Sequence, residues 1–204
     1  MECPSASGPR PTYPLSPDAL RRVLLAAGVN ARLAHRYAPS LAWAMDLAKV
    51  DTRDRVAHFL AQVLHESAGL LYTAEVWGPT RAQRRYEGRR DLGNVRPGDG
   101  YRYRGRDVLQ VTGRDNYRQC TEWWQARGVD VDFEAEPDRL ASEEFVGFGA
   151  AWYWATRGLN GLADRGDTRR DVARVTRRVN GGYNGLADRV RWFVRVGAAL
   201  NRMA

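Results

Sequence analysis

Residues 56–77 read VAHFLAQVLHESAGLLYTAEVW. Val56, Phe59, Leu60, Val63 and Leu64 recur at helical spacing, so the segment predicts a helix with one apolar, buried face. Asp51 or Thr52 supplies the N-cap, and Ser67-Ala68-Gly69 ends the helix. The last turn then presents His65 and Glu66. A carboxyl group at a helix C-terminus meets the negative end of the dipole, which favours its protonated form. A carboxylic acid that holds its proton on a rigid element is what general acid catalysis requires. Glu75 follows nine residues later, and Gly69 permits a reversal that brings the two carboxyl groups across a cleft. Most glutamates near helix ends are solvated surface residues, so the pair alone does not establish an active site.

Outward from this helix the pattern stays helical. Ser16-Pro17 starts a helix that buries Leu20, Val23, Leu24 and Ala27 and stops at Gly28. Residues 30–37 predict a second helix, broken before Pro39, and Ser40 caps a third over 41–48 with Trp43 and Leu47 facing inward. Thr80-Arg81-Ala82-Gln83 is a capping box opening a short helix that Gly88 closes. Tyr101-Arg102-Tyr103-Arg104 alternates and 108–111 reads as extended, which predicts a small β-hairpin or irregular β excursion. Helices over 117–127, 145–156, 171–179 and 186–200 complete a mainly α chain, with Trp152 in its core.

At 204 residues, 44% hydrophobic with 7 Trp, the chain fits one globular domain with a substantial core. Pro4, Pro9, Pro11 and Pro14 mark residues 1–14 as a disordered tail and leave 15–204 as that domain. The net charge of +8 is almost wholly arginine, Lys49 being the one lysine. Such a balance favours nucleic acid, anionic lipid or envelope polyanions, although an arginine-biased genome produces it too. Cys3 and Cys120 have no neighbours at metal-ligand spacing and predict neither a bridge nor a metal site, as suits a reducing cytosol. No apolar run reaches spanning length, and the N-terminal residues lack the basic start and apolar core of a signal peptide. The expectation is synthesis in the cytoplasm.

Three motifs in order carry a resemblance: His65-Glu66-Ser67, YRYRGRDVLQVTGRDNY at 101–117, and NGGYNGLADR at 180–189. Through them residues 55–200 resemble the family-19 chitinases and their bacteriophage endolysin relatives. The resemblance implies a lysozyme-like domain of two helical lobes around a saccharide cleft. It also implies a cofactor-free hydrolase that cleaves β-1,4 bonds next to N-acetylglucosamine with inversion. On matching positions Glu66 is the general acid, and Glu75, at the spacing of compact bacterial members, the general base. Glu87, at the spacing of longer plant members, is the alternative base. Its neighbours Arg84, Arg85, Arg89 and Arg90 predict a salt-bridged structural residue instead.

Thr112 corresponds to a hydroxyl that helps hold the attacking water, while Gln110 and Asn116 line the cleft floor. Asn180 matches a sugar-binding amide and Arg189 a charge partner of the catalytic carboxylates; His65 and Tyr101 join the substrate-binding set. The family reads Gly-Arg-Gly where this chain has Gly105-Arg106-Asp107. A Cβ and a charge there are expected to shift the local backbone or the pKa of nearby groups. The function implied is a monomeric peptidoglycan-degrading endolysin, without cofactor or metal, drawn to anionic envelope polymers by its basic surface. It would reach the periplasm or cell wall through holin-type or other non-Sec release. Chitin oligomers are the alternative substrate. The reading from another class is a non-catalytic carbohydrate- or nucleic-acid-binding domain, because interleaved Arg and Tyr at 101–104 also suit single strands. No RNP-type, helix-turn-helix or zinc-finger pattern supports nucleic acid.

Overall fold

The computed structural model describes residues 12–203, so most of the 1–14 stretch, Cys3 included, lies outside the described residues. Three helices come first: α1 (Pro17–Ala27), α2 (Ala31–Leu47) and α3 (Arg53–Glu66). The short α4 (Arg81–Arg84) and α5 (Asp99–Arg102) flank a 3-10 turn at Arg90–Leu92. Then come α6 (Arg114–Gln125), a 3-10 turn at Pro137–Ala141, α7 (Phe148–Thr156), α8 (Leu159–Ala163), α9 (Arg169–Asn180) and α10 (Leu186–Arg202). Among the described residues, β structure is limited to two isolated bridges, Ala74 with Arg106 and Arg106 with Val111. The chain is mainly α with a small β excursion, as its pattern predicts.

The organising helix is α3. Thr52 caps it, Oγ1 accepting from Arg55 N at 3.3 Å. Every residue from Val56 to Leu64 is buried, so the whole circumference is enclosed and not the single face that periodicity predicts. The reason is that α10 lies along one side while α8 and α9 pack on others. His58 and Gln62 go inside with partners: His58 Nε2 donates to the Gly166 carbonyl at 2.9 Å and Gln62 to Thr176 Oγ1 at 3.3 Å. Burial of Phe59 or Leu60 contributes about 1.5–3 kcal/mol each, and this anchoring fixes the helix end that carries Glu66.

Three local expectations are corrected. The break before Pro39 does not occur, and α2 runs through it as one helix. Pro39 deprives the His35 carbonyl of its donor, but both residues lie on the exposed face, where the carbonyl is open to solvent and the loss is cheap. The buried stripe Ala34, Tyr37, Ala38, Leu41, Ala44 and Met45 continues across the proline and outweighs its cost. Trp43 is 46% exposed on that helix, its edge against Phe148 with ring centroids 5.1 Å apart.

Residues 99–102 form α5 and not a pleated run, so Tyr103 is buried while Tyr101 is exposed. Arg114 fixes this turn by pairing with Asp99 at 2.5 Å. Burial raises the Asp99 carboxyl, but the Arg114 guanidinium outweighs it and holds the group below its ordinary value. The alternating basic–aromatic strip that suggested single-stranded nucleic acid is therefore not a flat platform. Helix α8 was not anticipated at all.

A second aromatic core joins α6 to α7. The Trp124 and Phe148 rings lie 4.2 Å apart, and Trp124 Nε1 donates to the Phe148 carbonyl at 3.2 Å. Phe145 meets Phe148 edge-on at 5.0 Å and Trp152 is buried in the same helix, as expected.

Candidate active site

Glu66 is the last residue of α3. The helix stops because Ser67 Oγ donates back to the Val63 carbonyl at 2.7 Å and accepts from Leu70 N at 2.9 Å. Ala68, Gly69 and Leu70 then turn through left-handed conformations. The Glu66 carboxylate meets Arg189 Nη2, from the first turns of α10. Arg189 has no exposed side-chain surface. Its Nη1 donates to Gln62 Oε1 at 2.6 Å and its Nε to the Asn184 carbonyl at 3.3 Å. Gln62 is anchored in turn on Thr176, so a buried polar chain from α9 through α3 to α10 ends at Glu66. The helix end is thus not the only charge Glu66 meets.

His65 is engaged differently from the sugar contact expected of it. Nδ1 bonds Asp188 Oδ2 at 2.7 Å, and the ring packs so closely on Gly185 that a Cβ there would lie 2.1 Å from Nε2. Gly185, at φ +70°, is required for this approach. Burial raises the Asp188 carboxyl, but hydrogen bonds from His65 and Arg191 outweigh it and hold the group below its ordinary value. His65 therefore links α3 to α10 at the turn that delivers Arg189.

Glu75 sits on the β excursion. Its N–H donates to the Gly105 carbonyl at 2.8 Å, and Gly105 N–H donates back to Glu75 Oε2 at 3.1 Å. Oε1 accepts from Gln83 Nε2 at 2.9 Å and, more weakly, from the Tyr86 hydroxyl at 3.5 Å. Gln83, three residues after Thr80, closes the capping box, so one side chain both starts α4 and clamps Glu75. The two carboxyl groups thus differ in kind: Glu66 faces a buried guanidinium, Glu75 neutral donors.

Glu87 is not held by arginines. Its carboxylate accepts from Gly98 N at 2.7 Å and Gly100 N at 2.8 Å, securing the start of α5, and it forms no ion pair among the described residues. Its partners are backbone amides and not the arginines expected from its neighbours in sequence.

The turn 107–110 between Arg106 and Val111 carries the remaining polar groups. Gln110 is half-buried, and a Cβ on Gly105 would lie 2.5 Å from Gln110 Oε1 and 3.3 Å from Glu75 Oε2, so both oxygens converge on that glycine. Thr112 Oγ1 donates to the Gln110 carbonyl at 2.9 Å, and Asn116 Nδ2 to the Thr112 carbonyl at 2.7 Å. Gln110, Thr112 and Asn116 thus form one hydrogen-bonded run, whose Gln110 side chain lies by Glu75. Tyr101 is exposed, edge-on to Trp77 with centroids 5.3 Å apart and with Arg104 stacked 4.3 Å over its ring. Asn180 ends α9, exposed. Sequence reasoning missed Gln62 and the second use of Gln83. A lone amide one turn before Glu66 in an apolar run was the available signal for Gln62. Among the described residues no group of three His, Cys, Asp or Glu side chains could hold a metal ion.

The family of class I chitinases, glycosyl hydrolase family 19, matches residues 34–161. A glycosyl hydrolase family 19 domain-containing protein of Haemophilus influenzae is 36% identical over 113 residues, 55% of this chain and 50% of that one. Endochitinase 1 of Theobroma cacao is 35% identical over 116 residues, 52% of this chain and 34% of its own length. The chain thus spans half or less of these curated relatives. Among solved structures, chitinase C from Streptomyces griseus superposes with a TM-score of 0.65 at 20% identity, covering 97% of this chain and 79% of that one. A class IV chitinase from Zea mays gives 0.58 at 20% identity, with 88% and 89% covered. At such identities these likenesses establish the shared fold.

Proposed function

The chain belongs to the class I chitinase family, glycosyl hydrolase family 19, and on that premise we propose that it hydrolyses β-1,4 bonds next to N-acetylglucosamine with inversion. Glu66 protonates the leaving oxygen, and Glu75 takes a proton from a water that attacks the anomeric carbon from the opposite face. The observation that carries this reading is the contrast between the two carboxyl groups. Once Glu66 has given up its proton, its charge faces a preorganised and fully buried guanidinium, which stabilises it. Glu75 is aimed by Gly105 and Gln83 and has no basic partner among the described residues; the Thr112 hydroxyl proton is committed to the Gln110 carbonyl, which leaves its oxygen to accept from a water.

For the substrate we favour peptidoglycan. An open cavity of about 410 Å³ beside Tyr101 is lined by Arg102, Arg104, Arg106 and Arg139 with Glu136 and Asp138. Asp138 pairs with Arg104 and Arg106 and Glu136 with Arg139, so Arg102 is the lining cation with no ion pair among the described residues and the one offered to a peptide carboxylate. Chitin oligomers are the second reading, supported by the endochitinase relatives. Such a substrate places the enzyme in the cell wall, reached by holin-type or other release. The test is direct. Purified Gram-negative sacculi and chitin oligomers are incubated with the protein, and new reducing ends and product anomers are measured. Inverted product from sacculi is expected. Product from chitin alone would move the assignment to chitinase; oligonucleotide binding with neither product would end the hydrolase reading.

The basic surface gives a second expectation. Arg81, Arg84, Arg85, Arg89 and Arg90 are exposed, as are Arg191, Arg195 and Arg202 on α10, whereas Arg189 on the same helix is buried against Glu66. Screening confines attraction to about 8 Å at physiological salt, so lysis of permeabilised cells should fall steeply as salt rises. Cleavage of a soluble neutral glycan should hold nearly constant. An equal fall in both would place the arginines' action in the cleft.

A further inference from the structure

Asp107 departs from the glycine its motif implies, and the structure shows what the extra carboxyl group does. Asp107 is fully buried and keeps the left-handed backbone a glycine would supply, at φ +63°. Such a conformation strains a residue with a Cβ, and Gln110 at φ +56° closes the same turn under the same strain. Something must hold the turn. Asp107 Oδ1 accepts from Gly147 N at 2.6 Å and Oδ2 from Ala150 N at 2.7 Å, so the carboxyl group sits on the first amides of α7. The N-cap of α7, Gly147, has no side chain to do this itself. The fit is close: a Cβ on Gly149 would lie 3.0 Å from Asp107 Oδ2.

The backbone of Asp107 points the other way, into the candidate site. Its N–H donates to the Thr73 carbonyl at 2.7 Å, two residues before Glu75. Its carbonyl accepts from both Gln110 N and Gln110 Nε2, each at 3.1 Å, which orients the side chain whose Oε1 lies by Glu75. One residue therefore ties the Glu75 segment, the Gln110 amide and α7 together. The Trp124–Phe148 packing keeps α7 from following the turn if it moves.

We propose that Asp107 is a positioning residue for the Glu75 end of the site, its carboxyl group locking the strained turn that aims Gln110 beside Glu75. The proposal rests on the reading of Glu75 as base. Among the described residues no charged side chain hydrogen-bonds or pairs with Asp107. From α6 comes the Cys120 thiol, which burial keeps well above its ordinary value and neutral; from α7 come amides; from the Glu75 segment a carbonyl; and the Arg106 guanidinium turns to Asp138 at 2.9 Å. Burial pushes the Asp107 carboxyl up to about 6, against the opposing pull of its amide donors.

Two measurements test this. The first compares wild type, Asp107→Asn and Asp107→Gly on N-acetylglucosamine oligomers, well below the Tm of each. Misplacement of a positioned group costs turnover, so kcat should fall about tenfold or more while KM stays within about twofold. The wild-type kcat profile should lose activity below about pH 6 along a limb the variants lack. Folded variants with wild-type kcat and an unchanged profile would overturn the proposal.

The second measurement needs neither variant nor activity. The wild-type amide resonances of Gly147, Ala150, Gly105 and the Gln110 side chain are followed by NMR from pH 4.5 to 7.5, a window chosen around the Asp107 value of about 6. All four should move with one midpoint near pH 6. If Gly147 and Ala150 titrate while Gly105 and Gln110 stand still, the carboxyl group does not govern the site and the proposal fails. A wild type that cleaves no glycan would sink the base assignment of Glu75, and the NMR result alone would then decide the role of Asp107.

Discussion

Glu66→Gln should abolish measurable turnover, a loss on the order of 10²–10⁴-fold, because an amide has no proton to give the leaving oxygen. The fold should survive, since the amide oxygen can still accept from Arg189 Nη2. Glu75→Gln should lose nearly as much. It keeps the Gly105 and Gln83 contacts only in part and cannot take the proton of water. Glu87→Gln is the discriminating control. Its carboxylate serves Gly98 and Gly100 amides away from any reacting atom, so the cost is the weakening of one or two neutral-donor bonds, about 1 kcal/mol of stability, with turnover nearly kept. Steady-state kinetics on a defined oligosaccharide, with urea unfolding of each variant, separates the three. Should Glu87→Gln prove as severe as Glu66→Gln while Glu75→Gln stays active, the base assignment must be exchanged.

The elements that matter most were legible because their signals are local. Thr52 with the stripe Val56 to Leu64 defines α3, Ser16-Pro17 defines α1, and Thr80 with Gln83 defines the start of α4. Where the reading failed, a distant partner decides. Pro39 is a helix breaker by itself, and only the continuous burial of α2 on both sides overrides it. The alternation at 101–104 looks pleated until Asp99 is tied to Arg114 fifteen residues on. Glu87 lies among arginines in sequence, yet loop backbone eleven and thirteen residues away satisfies it. Asp107 is the extreme case, since nothing near it in sequence announces amides forty and forty-three residues later. The resemblance offers Arg189 as a charge partner of the catalytic carboxylates without saying which, and its contact with Glu66, like the burial of Gln62 and Thr176 behind them, appears only in the packed helices.

Removal of Arg189 should be the most damaging single change to both stability and chemistry. Its guanidinium is wholly enclosed and serves three acceptors at once: Gln62, the Asn184 carbonyl and Glu66. Arg189→Met leaves Glu66 without its counter-charge and Gln62 Oε1 without a donor. Breaking a buried pair costs about 3 kcal/mol here, the low end of the usual range because Glu66 keeps 25% of its side chain exposed. For a chain of this size that is a fall in Tm of about 6–12 °C. Arg189→Lys should fare only partly better, because one ammonium cannot span the planar fork's three directions. Both variants should lose turnover well below their Tm, as the charge that Glu66 acquires on proton transfer goes unstabilised. The decisive measurement is a double-mutant cycle by urea unfolding with Glu66→Gln, Arg189→Met and the pair. The loss from Arg189→Met should shrink by about 1 kcal/mol or more when residue 66 is already uncharged, the coupling expected of groups in direct contact. An equal loss in both backgrounds would mean that Arg189 acts by filling space between α3 and α10, and that its charge does nothing for Glu66.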